Sequence, residues 1–81
     1  MTPYKVQMLH DVDDELFWND FYIDLDTINA FYIARDEEFI EGELVKLVVV
    51  YAAGENYTLK PEKHLEEYLL KRFVKSAVKA R

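Results

Sequence analysis

The chain has 81 residues, 51% apolar and 32% charged, a net charge of −6 and no cysteine. That length holds one domain, residues 1–81. The apolar share is too high for a disordered chain, and the missing cysteine excludes disulfides, thiolate catalysis and Cys-based metal sites.

Residues 4–10 alternate Tyr4, Val6 and Met8 with Lys5, Gln7 and Leu9, and a period of two predicts a strand. Residues 11–15 are almost all acidic and read as a loop. Leu16, Phe17 and Trp18 follow with no clear period, which suits a short helical turn. Residues 21–25 alternate again and predict a second strand, ending near Asp26 and Thr27. The next aromatic and β-branched run, residues 28–35, begins only two residues later. The pair is either a tight hairpin or one long bent strand, and the absence of glycine at Asp26 and Thr27 favours a bend or bulge.

Residues 36–43 hold five carboxylates and Gly42, and read as a solvated turn. Residues 44–52 are the strongest strand signal in the chain, apolar on both sides. Residues 53–56 form a turn in which Gly54 can take positive φ, and residues 56–60 return, so 44–60 predict a hairpin. Pro61 suits the first turn of a helix, where a missing N–H costs nothing. The helix is expected to run over residues 61–80, with Leu65, Leu69, Leu70, Phe73, Val74 and Ala77 on one face. Tyr68, Lys71, Arg72, Lys75 and Lys79 fall on the other.

The expected fold is α+β: an antiparallel sheet of four to five strands in a meander of hairpins (4–60), with one long C-terminal α-helix packed on one face. A single helix shields one side of a sheet, yet the strands around 28–35 and 44–52 are apolar on both. A second copy of the chain is the expected cover, giving a homodimer; a lid made from the segments around 4–9 and 16–18 is the alternative. Phe17, Trp18, Phe31, Tyr32 and Tyr51 are the candidate interface residues, because aromatics dominate interface energetics.

The charge is unevenly placed. Residues 1–43 carry twelve carboxylates against Lys5 and Arg35, whereas residues 44–81 carry four against eight basic groups. Lys71, Arg72, Lys75 and Lys79 are therefore the candidate contacts to a polyanion or acidic partner. Nucleic acid as a partner is disfavoured by the repulsion of the acidic half.

Motifs for chemistry are weak. Asp24-Leu25-Asp26 superficially resembles the Asp-x-Asp opening of haloacid-dehalogenase-type phosphatases, but one helix cannot supply the βαβ crossovers that such enzymes need. Asp11, Asp13 and Glu15 have the first spacings of a calcium-binding EF-hand loop, yet its glycine and final glutamate positions are Leu16 and Tyr22. His10 and His64 stand apart on different elements. No catalytic residue, metal ligand or cofactor is expected. The longest apolar run is seven residues, 47–53, far short of the roughly 20 that cross a bilayer as a helix. With no basic-then-apolar leader pattern at the start, a soluble cytoplasmic protein is the expectation. The functional expectation is a small acidic, non-enzymatic protein-interaction module that dimerises. The alternatives are an acidic decoy occupying a basic site on a larger protein, and a weak nucleic-acid binder acting through the helix.

Overall fold

A computed structural model describes residues 3–74. Its strands are β1 (Pro3–Val12), β2 (Glu15–Asp24), β3 (Ile28–Ile33), β4 (Glu38–Ile40), β5 (Glu43–Val45), β6 (Val48–Ala52) and β7 (Glu55–Leu59). A short helix α1 (Lys63–Leu69) follows, continued by a π-helical turn, Leu70–Val74. The α+β expectation holds in outline: five strands form one antiparallel sheet in the order β2-β1-β7-β6-β3, and β4 and β5 form a separate hairpin.

Three of the connections are two-residue turns with both residues at positive φ: Asp13 and Asp14, Glu41 and Gly42, Ala53 and Gly54. This mirror-image turn matches the right-handed twist of paired strands. The expected loop at 11–15 is thus the tip of a hairpin whose arms are ten residues each. The expected helical turn at Leu16, Phe17 and Trp18 is strand, paired with Asp11, His10 and Leu9.

The bend expected after residue 25 is a 3-10 turn, Leu25–Thr27. The Asp24 carboxylate accepts the Asp26 N–H at 3.0 Å, which turns the chain locally without glycine. This turn has a large consequence, because it joins β2 and β3, the two opposite edges of the sheet. Laid flat, five strands place their outer edges about 19 Å apart. Three residues of 3-10 helix advance only about 6 Å. The sheet must therefore coil until its edges approach.

Coiling makes a concave and a convex side. On the concave side Val6, Ile23, Ile28, Val48, Val50, Ala52 and Leu59 form the core, and α1 adds Leu65 and Leu69. Those two leucines lie one helical turn apart, as an apolar stripe requires. Of the long helix expected over 61–80, the described residues form seven α-helical residues and one wider turn, and residues 75–80 lie outside them. Glu62 is extended (φ −146°), so the helix begins after Pro61 rather than at it. Leu70 is exposed, while Tyr68, expected on the polar side, is half-buried against the core. The Val74 side chain and Ala77 lie outside the described set.

The convex side is roofed in part by the chain itself. The strand expected over 44–52 breaks at Lys46 and Leu47, and the solvated turn expected at 36–43 is in fact β4 and the start of β5. Alternation turns Ile40 and Val45 inward and Phe39 and Leu44 outward. Ile40 is 1% exposed, Phe39 66% and Leu44 58%. The Trp18 N–H donates to Glu41 Oε2 at 2.7 Å, and Lys60 Nζ lies 3.7 Å from Glu43 Oε1. The hairpin thus reaches across to β2 and to the end of β7. Val49, which faces away from the core, is 8% exposed beneath this side.

Candidate functional site

The five aromatics expected at an interface are distributed over both sides of the coiled sheet. Phe17 faces the concave side and stacks on His10, with centroids 5.6 Å apart. Phe31 also faces inward, onto Phe73 of the π turn at 5.6 Å. Trp18 is on the convex side but is half-buried, with Lys60 Nζ 5.9 Å from its ring centroid. Only Tyr32 and Tyr51 come together in the open. They sit on β3 and β6 with ring centroids 6.4 Å apart, and they are 51% and 39% exposed. The open apolar part of the convex surface therefore includes Tyr32, Tyr51 and the neighbouring Ala30, Phe39 and Leu44 on the back of the roofing hairpin, and, apart from them on β2, Tyr22, which is 61% exposed opposite Lys5. Sequence reasoning missed Phe39, because the five carboxylates over 36–43 suggested a turn, and read Leu44 into the strand 44–52; the repeated acid-apolar-apolar triplets on either side of Glu41 and Gly42 were the available signal.

The acidic groups lie at the rims and on the outer strands. Asp11, Asp13, Asp14 and Glu15 crowd the tip of the β1–β2 hairpin and are all exposed. Asp20, on the convex side of β2, is the best-held carboxylate: it accepts from Gln7 Nε2 at 2.6 Å and pairs with Lys5 at 3.4 Å. The Gln7 hydrogen bond and then Lys5 hold its pKa below the usual carboxylate range. Such a solvent-facing pair adds little to stability, because water and salt screen it.

Two of the four basic residues expected on the helix can be placed. Lys71 is exposed and Arg72 is committed to the fold: its Nη1 donates to the Leu25 carbonyl at 2.8 Å, and its guanidinium lies over the Phe73 ring at 4.9 Å. Lys75 and Lys79 lie outside the described residues. Asp26, Tyr68, Lys71 and Arg72 line an open hollow of about 430 Å³ at this end. Its charges are mixed, and Arg72 is turned toward backbone carbonyls, which makes it a clasp between the helix and the β2–β3 turn.

Among the described residues, no group of three or more His, Asp or Glu side chains could hold a metal ion. No described helix is long and apolar enough to cross a membrane. No family model, curated protein or solved structure matches the chain.

Proposed function

We propose that the chain is a small acidic, non-enzymatic protein-interaction module that pairs with a second copy through the uncovered part of its convex sheet face. The observation that carries this reading is the Tyr32 and Tyr51 pair, open to solvent on a face that the chain's own hairpin roofs only in part. Aromatic rings supply much of the energy of protein interfaces, and an uncharged aromatic surface beside an already covered one is suited to a second protein layer. Pairing here leaves the acidic tip at 11–15 facing solvent, where it keeps the pair soluble or meets a partner.

Light scattering at tens of micromolar tests it. The expected mass is about double the 9.6 kDa chain, falling to the single-chain value in a Tyr32→Lys, Tyr51→Lys double variant. A wild-type mass of one chain at every concentration rejects self-pairing. The acidic decoy then becomes the better reading, favoured by the exposed carboxylates of Asp11, Asp13, Asp14 and Glu15, which form no ion pair among the described residues.

A further inference from the structure

The two edges of the coiled sheet are not alike. An open edge invites strand addition, and proteins block it with charged side chains or by occupying its hydrogen-bonding groups. β2 has both protections: Glu15, Asp20 and Asp24 lie along it, and Glu41 already takes the Trp18 N–H. β3 has neither. Its sequence, Ile-Asn-Ala-Phe-Tyr-Ile, contains no charge and no proline. It lies within residues 27–34, the longest uncharged run of the acidic half.

The ladder geometry shows which groups are open. The Ala34 N–H donates to the Leu47 carbonyl at 2.8 Å, toward β6. Backbone groups alternate sides along an antiparallel strand, so those of Tyr32 also face β6 while the N–H and C=O groups of Phe31 and Ile33 face away from the sheet. No hydrogen bond described for residues 3–74 uses them. The register irregularity between Ile28 and Ala30 limits the regular edge to its second half. Asn29, Ala30, Tyr32 and Ile33 are all exposed.

Charge at the two ends of this edge selects the occupant. Before β3, Asp26 shares one hollow with Lys71 and Arg72. After β3, Asp36, Glu37 and Glu38 outnumber Arg35 and Lys46, which follows the Val45 that pairs with Glu38, and all five are exposed. We infer that the β3 edge is a docking site for an extended segment of a partner protein, uncharged where it pairs with Phe31 and Ile33 and basic where it passes residues 36–38. The inference rests on the reading of the chain as an interaction module, and not on the pairing of two copies through Tyr32 and Tyr51. Main-chain hydrogen bonds supply the affinity and the basic end supplies the orientation.

Two fluorescent hexapeptides serve as probes, Lys-Lys-Val-Thr-Val-Thr and Val-Thr-Val-Thr-Lys-Lys, titrated against the full chain in low salt by anisotropy. One of them is expected to bind at least about tenfold more tightly than the other, since the basic end suits only one strand direction, and about tenfold more tightly than its Glu-Glu counterpart. Ile33→Pro removes an outward N–H at a position where an edge strand tolerates proline, and is expected to abolish binding. On the unmodified protein, the same peptide is expected to slow hydrogen exchange at the Phe31 and Ile33 amides, a readout independent of whether the variant folds. Absence of binding by both peptides, equal binding by both, or unchanged exchange at Phe31 and Ile33 overturns the docking site. A dimer that becomes monomeric on Ile33→Pro, with the fold intact, also overturns it, because a second copy then occupies the edge. A single-chain mass for wild type with selective peptide binding rejects the self-pairing and leaves this site standing.

Discussion

Tyr4 anchors the first strand to the start of the helix: its hydroxyl donates to Glu62 Oε1 at 2.6 Å, across 58 residues of sequence. The hydrogen bond to that carboxylate, then burial and the carboxylate's charge, push the phenol up to about 12 from an ordinary 10.0. A raised acid favours its protonated form in the folded state. The stability it adds is complete below pH 10 and is lost as pH rises toward 12. Unfolding midpoints measured across that window should fall more steeply in wild type than in Tyr4→Phe, and parallel curves would count against the bond. Nothing in the sequence pairs Tyr4 with Glu62, because proximity came from the fold. The first turn was hidden for a different reason. Asp13 and Asp14 occupy positions at φ 51° and 63° that glycine or asparagine usually fills; short polar side chains tolerate that region, so an acidic pair there looks like a loop. Gly54 is the readable counterpart, and the turn it marks was legible.

The β4–β5 hairpin shows where strand patterns stop being readable. Elements with one wet side, β1 and the second half of β2, kept their alternation and were legible. Leu16, Phe17 and Trp18 lost it because β2 is half-buried on both sides there, by His10 on one and by the roofing hairpin on the other. The hairpin itself is three residues per arm, and its charges outweigh Ile40 and Val45 in any sequence window. Ile40 is nevertheless 1% exposed. Ile40→Ala should destabilise the protein by about 2–4 kcal/mol, the usual cost of emptying a filled apolar site. Phe39→Ala, one residue away but facing out, should shift stability by no more than about 0.5 kcal/mol. Denaturant titration of both variants separates a packed roof from a solvated turn, for which both changes would be nearly silent. The candidate site followed the same logic: Tyr32 and Tyr51 were legible as aromatics on strands, but only the placement of the roof shows that they remain open while Trp18 does not.

At the scale of the whole molecule the sheet is two blocks joined by a narrow seam. β1 and β2 pair along all ten residues, and β6 joins β3 on one side and β7 on the other along their lengths. Between the blocks, β1 meets β7 only where Met8 lies opposite Leu59, beside a 2.8 Å bond from the Lys60 N–H to the Gln7 carbonyl. The seam is short because β7 ends at Leu59 and the chain leaves the sheet to form α1. What otherwise holds the blocks together is side-chain packing, with Phe21 against Tyr57 at 5.1 Å and the core shared by Val6 and Ile23 with Leu65 and Leu69, and the side-chain hydrogen bonds from the Trp18 N–H to Glu41, from Tyr4 to Glu62 and from Arg72 to Leu25. Such a joint should open before either block unfolds, since local opening follows the regions with fewest cooperative bonds. Native-state hydrogen exchange reads this directly. The Lys60 amide should be protected by less than the amides of Val49 and Val50, which lie in a strand paired on both sides. A Lys60 amide that exchanges only at the free energy of global unfolding would mean that the helix, wedged across both blocks, makes the coiled sheet a single cooperative unit.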